Sequence, residues 1–199
     1  MSALPDDTVA MSESEYLAFE RVNETKHEFV DGEVFAMTGA SENHNLICLN
    51  LFRVLGNQLL EGPCKVYPSD MRVKVEATRL YTYPDVSVVC DDPQFADNEF
   101  DTLLNPLVII EVLSPSTDGY DRGRKFQNYR LMSTLQEYLL VSQDTARIEH
   151  YIRQENGEWL LSDVIGLDGQ LKLPSIECSL LMSDVYRKVT FEVEDDKDK

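Results

Sequence analysis

The sequence predicts a mixed α/β fold in a single domain, and three observations predict it. Segments of helical period alternate with segments of strand period along the whole chain. Two short runs, "YPDVSVVC" (83–90) and "PLVIIEVL" (106–113), are rich in Val and Ile and bounded by turn residues, the pattern of strands buried on both faces. The length of 199 residues suits one domain with a real core, and no internal repeat divides it.

The elements follow in order. Residues 1–11 read as a loose N-terminus, 12–191 as the domain and 192–199 as an acidic tail. "SESEYLAFERV" (12–22) opens with a capping serine and reads as a short helix. "HEFVDGEVFAMTG" (27–39) alternates on both sides of Asp31-Gly32, a strong hairpin signal. In "SENHNLICLNLFRVLGNQLLEG" (41–62), Ile47, Leu51, Leu55 and Leu59 recur at helical spacing between Ser41 and Gly62, which predicts a helix. "CKVYPSDMRVKVE" (64–76) reads as one strand, with Met71, Val73 and Val75 on one face and Asp70, Arg72 and Lys74 on the other. "GYDRGRKFQNYRLMS" (119–133) reads as a helix weakened by Gly123, and "EYLLVS" (137–142) as a further buried strand. "RIEHYIRQENGEWLLSDVIG" (147–166) is a hairpin turned at Asn156-Gly157, and "SLLMSDVYRKV" (179–189) closes the chain with a short helix.

Composition narrows the function. Apolar residues make up 43% of the chain, too many for a disordered one, yet no apolar run approaches a membrane span. The N-terminus has no basic-then-apolar leader, so a cytoplasmic protein is expected. Cys48, Cys64, Cys90 and Cys178 form no C-x-x-C pair and read as reduced, buried thiols. His27, His44 and His150 do not cluster in sequence, which argues against zinc. The net charge of −18 argues against a simple nucleic-acid binder. The charge is uneven, however: 91–101 carries only acids, whereas 121–130 contains Arg122, Arg124, Lys125 and Arg130 against one acid. An acidic surface that aids solubility accounts for most of the surplus.

Two acids stand at unusual places. Asp85 follows Pro84 at a strand start, and Glu111 lies inside an aliphatic run. A carboxylate in a buried strand is costly unless a cation or hydrogen bonds compensate it. If the two strands pair, the carboxylates converge and suit a hard cation such as Mg²⁺ or Mn²⁺, which can activate water and stabilise phosphate charge. Pro84-Asp85, a gap and then Glu111 resemble the PD-(D/E)XK nuclease pattern, except that Leu113 stands where the lysine is expected. "HEFVDGEV", "ENHNLI", "YPDVSVV", "LVIIEVLSPST", "DRGRKFQNY" and "EYLLV" occur in the order seen in the Uma-two (Uma2) family of restriction endonuclease-like proteins, and the resemblance runs from about residue 13 to 190. It implies a restriction endonuclease-like core and a lysine that has moved from the strand to the following helix, which points to Lys125. With Asp121 and Tyr129, Lys125 forms an i, i+4, i+8 stripe that one short turn could bring back to the carboxylates.

The expected site is therefore Asp85 and Glu111 as metal ligands with Lys125 assisting. Glu28 is a further acid from the N-terminal hairpin, and His44 a supporting group at the start of its helix. Each has a plainer reading: Asp85 as a strand-start residue, Glu111 as half of a buried ion pair, Lys125 as a surface lysine, His44 as a core-edge residue, Glu28 as an exposed cross-strand residue. The resemblance implies a metal-dependent endonuclease acting on nucleic acid, DNA above all, as a homodimer by analogy. The alternatives are a nuclease fold used for binding without cleavage, and a structural protein with buried ion pairs.

Overall fold

The computed structural model describes residues 10–37 and 39–191, so the expected tail at 192–199 and most of the expected loose N-terminus lie outside the described residues. The fold is mixed α/β, as expected. A six-stranded sheet forms its centre, in the order β11-β10-β9-β8-β6-β3. These strands are β3 (Lys65–Pro68), β6 (Val86–Val89), β8 (Val108–Leu113), β9 (Glu137–Ser142), β10 (Arg147–Arg153) and β11 (Trp159–Ile165). β8 and β9 run parallel and the other neighbours antiparallel.

Alternation along β8 assigns its two faces. Val108, Ile110 and Val112 pack with Ile47, Leu51 and Leu55 of α2 (Glu42–Gln58). The helix starts where Ser41 accepts from the His44 amide. Asn50 ties it to the C-terminal region by donating to the carbonyls of Val185 and Arg187. On the other face Ile109 and Leu113 meet Tyr129 and a five-stranded sheet, ordered β2-β1-β5-β4-β7. That sheet comprises β1 (His27–Val30), β2 (Glu33–Ala36), β4 (Arg72–Val75), β5 (Leu80–Thr82) and β7 (Thr102–Leu103). α1 (Glu13–Glu20), held by a capping box at Ser12 and Glu15, covers it through Tyr16, which stacks 4.9 Å from Phe29. A small hairpin of β12 (Gln170–Leu173) and β13 (Cys178–Leu181), followed by α5 (Met182–Val185), completes the α2 side.

The Asp31-Gly32 hairpin forms as predicted, with both turn residues at positive φ. Gly32 is required there twice over: its φ is +99°, and an added Cβ would lie 3.0 Å from the Ala10 Cβ. The 147–166 hairpin also forms, with Gly157 at φ 83°.

Three expectations need correction. Residues 64–76 are not one strand: the Met71 amide donates to the Pro68 carbonyl, and this turn sends β3 and β4 into different sheets. The signal was Pro68-Ser69-Asp70, turn residues in the middle of an alternating run. Arg72 is consequently buried, donating to Thr102 and Tyr83, while Asp70 is exposed and pairs with Lys26. Second, the cysteines are not all reduced. The antiparallel register that pairs Lys65 with Val89 sets Cys64 opposite Cys90, and the two form a disulfide. Cys48 and Cys178 are free. Third, the helix expected over 119–133 is α3 (Asp118–Tyr120), a π-helical turn (Asp121–Lys125) and α4 (Phe126–Tyr129) in succession.

Candidate active site

The site lies where β8 ends, β6 begins and α2 starts. Antiparallel pairing ends at Val86 and Ile110, which brings Asp85, the residue before β6, to the end of β8 beside Glu111 and Val112. The Val112 amide donates to Asp85 Oδ2 at 2.7 Å, so Asp85 takes the place of a backbone acceptor at the strand end. His44 Nε2 lies 3.2 Å from the same oxygen. Glu111, buried, accepts at Oε1 from the Tyr129 hydroxyl at 2.9 Å and from Lys125 Nζ at 2.8 Å. Among the described residues, the second oxygen of each carboxylate has no hydrogen-bond partner.

Lys125 is buried inside a ring of acids. Its ammonium lies 2.8 Å from Glu111, 3.2 Å from Glu28 and 3.5 Å from Asp121. Glu28, on β1, is further held by the hydroxyl of Thr82 on β5 and by the Tyr120 hydroxyl. The expected Asp121, Lys125, Tyr129 stripe therefore does face Glu111, and the π turn explains how. In an α-helix each i, i+4 step advances about 40° around the axis. A π turn takes more residues per revolution and offsets that drift, so all three side chains stay aimed at one point.

Glu28, His44, Asp85, Glu111, Asp121 and Lys125 line a cleft of about 720 Å³, together with Lys26, Cys48 and Ser114 to Thr117. Its walls carry four carboxyl groups (Glu28, Asp85, Glu111, Asp121) against two lysines and one histidine. The electrostatics follow from that surplus. Burial pushes the Glu111 carboxyl up to about 8, against the pull of Lys125, with Asp121 and Asp85 adding to the rise. Asp121 is raised for the same primary reason, burial. Burial works against the charge on Lys125, but Glu111 and Glu28 outweigh it and hold the ammonium charged. The cluster thus keeps its lysine cationic and lacks positive charge for its acids.

Of the five expected site residues, Asp85, Glu111 and Lys125 converge, Glu28 joins them as a buried partner of the lysine, and His44 stands against Asp85. Glu28 is not the exposed cross-strand residue of the plainer reading. Arg122 faces elsewhere, paired with Asp118 and Glu149. The sequence reading passed over Thr82, Tyr120 and Cys48. Only Cys48 had a signal, four residues after His44 on the same helix. Its sulfur lies 3.6 Å from His44 Nδ1, and burial pushes its thiol up, with Asp85 and Glu111 contributing.

Comparison with known proteins agrees with the fold. Two proteins of Synechocystis, "Uncharacterized protein slr1290" and "Uncharacterized protein sll1609", are 40% and 38% identical to the chain. The first alignment covers 91% of this chain and 94% of the relative, the second 83% and 93%. A solved structure from Anabaena variabilis, described as "a putative nuclease belonging to DUF820", superposes with a TM-score of 0.71 at 17% identity, over 88% of this chain and 97% of that one. With the fold and the residue pattern in agreement, the match of residues 13–183 to the sequence model described as "Putative restriction endonuclease" decides the matter: the chain belongs to the Uma2 family.

Proposed function

We propose that this protein is a metal-dependent endonuclease that hydrolyses phosphodiester bonds of DNA. The observation that carries the reading is the meeting of Asp85, Glu111 and Lys125 in one cleft, with the lysine arriving from the helix and not from β8. Hard oxygen donors in negative surplus, each carboxylate with one oxygen committed and one free, fit Mg²⁺ or Mn²⁺. An ion held by Asp85 and Glu111 would activate water and stabilise charge on the phosphate. His44 and the Val112 amide fix Asp85, and Tyr129 fixes Glu111. Glu28 and Asp121 keep Lys125 charged and placed, so that its ammonium orients the attacking water or meets the developing phosphoryl charge. We propose further that it acts in the cytoplasm as a homodimer, the latter by analogy with other proteins of this fold.

The test is cleavage of plasmid DNA, single-stranded DNA and RNA by purified protein in Mg²⁺ or Mn²⁺. Asp85→Ala, Glu111→Ala and Lys125→Ala should each lower the rate roughly a hundredfold or more. Undiminished cleavage by the three variants would overturn the reading. A second reading draws on Leu113, which stands on β8 where the pattern expects the lysine: the nuclease fold used as a binding module without cleavage. Tight metal-independent binding with no cleavage in any divalent ion would favour it.

A further inference from the structure

We propose that His44, Cys48 and Asp85 form a second, overlapping binding site for a divalent transition-metal ion of borderline softness, such as Zn²⁺ or Co²⁺, on the α2 wall of the cleft. One ligand atom from each residue lies within 4.8 Å of the others. Tetrahedral zinc, with sulfur at about 2.3 Å and nitrogen at about 2.0–2.1 Å, sets neighbouring donors roughly 3–4 Å apart. Cys48 Sγ stands 3.6 Å from His44 Nδ1 and Asp85 Oδ2 stands 3.2 Å from His44 Nε2, so closing the shell requires one of these two side chains to turn toward the ring nitrogen that takes the ion.

The supporting structure is rigid on both sides. His44 and Cys48 are four residues apart on α2, the spacing that brings two side chains to one helix face. α2 is anchored by buried Ile47 and Leu51 and by the Asn50 hydrogen bonds. Asp85 is held from the opposite side by the Val112 amide. All three residues line the open cleft and none is fully buried, so an ion has a path from solvent.

The donor set selects the class of ion. Imidazole and thiolate favour Zn²⁺ and Co²⁺, whereas Mg²⁺ takes oxygen donors. Three protein ligands leave a fourth position for water, as in catalytic zinc centres and unlike closed structural ones. Zinc looked excluded because the histidines are scattered, but this site uses one histidine and takes its other donors from a cysteine one helical turn away and from a neighbouring strand. It shares Asp85 with the hard-cation pair proposed above and uses neither Glu111 nor Lys125. It requires no cleavage, so the two proposals fail separately.

The test is Co²⁺ titration of the full chain after chelator treatment, read by absorption. The expected result is one ion per chain, a near-ultraviolet thiolate-to-cobalt charge-transfer band and visible bands of tetrahedral intensity, abolished by Zn²⁺. Cys48→Ser and His44→Ala, each checked for native circular dichroism, should remove these bands, and Cys178→Ser should retain them. Glu111→Gln should also retain them, which separates this site from the hard-cation pair. Absence of the thiolate band, its survival in Cys48→Ser or His44→Ala, or its loss in Glu111→Gln would each overturn the proposal.

Discussion

At the scale of single residues, Lys125 and Glu111 are opposite cases within one cluster. Lys125 is the cation that three buried acids share, and replacing it by methionine strands those charges. Lys125→Met should cost about 3–5 kcal/mol of stability, read from the urea midpoint of the metal-free protein. Glu111 belongs to the surplus, and Glu111→Gln removes one charge that burial opposes. Its carboxyl is raised to about 8 in the fold, so the native state holds a proton that the unfolded chain releases at ordinary carboxylate pH. The native form therefore binds more protons between about pH 5 and pH 8, and stability must fall as pH rises through that window. In chelator, the melting temperature should decline over this range, and Glu111→Gln should flatten the decline. An unchanged slope in the variant would assign the effect to other groups.

At the scale of elements, the π turn and the β3–β6 edge carry the consequences. Gly123 weakened the predicted helix, yet a Cβ added there meets nothing within 4 Å and its φ is not positive. Gly123→Ala should then stabilise the protein by about 0.4–1 kcal/mol, seen as a higher melting temperature with the cleft residues untouched. A loss of stability would mean that the π turn needs glycine for another reason. The disulfide closes a segment with a sequence separation of 26 residues across two adjacent strands. In the chain-entropy account such a loop contributes about 3–4 kcal/mol. Denatured, unreduced protein should show two free thiols, Cys48 and Cys178, and four after reduction. Reduction should lower the melting temperature, and four thiols before reduction would remove the bridge from the account.

Across the whole molecule, charge constrains how any nucleic acid could bind. Several basic groups outside the cleft are engaged: Arg21 with Asp97 and Asp101, Arg122 with Asp118 and Glu149, Arg147 with Glu149 and Asp163. The net charge of −18 works against the attraction of phosphates to the remaining bases. Binding measured with Ca²⁺ in place of Mg²⁺, between 50 and 200 mM salt, should give a shallow slope of log K against log salt, about −2 or less steep. A steep slope would overturn this expectation.

How much was legible follows from the range of each interaction. Periodicity and turn chemistry are local, so α2, the Asp31-Gly32 hairpin, the buried strands and the buried position of Glu111 could be read from the chain alone. Lys125 was read from the family resemblance, and its helical stripe was consistent with it. The Cys64–Cys90 bridge, the division of 64–76 between two sheets, and the meeting of Glu28, Thr82 and Tyr120 around the lysine could not be read in this way. Each depends on strand register and sheet packing, which bring together residues distant in sequence. The sequence by itself determined that Glu111 carries a carboxyl group into the core. Only the tertiary structure decided how many acids share one lysine, because sheet packing brings Glu28 of β1 and Glu111 of β8 to Lys125 and Asp121 of the π turn.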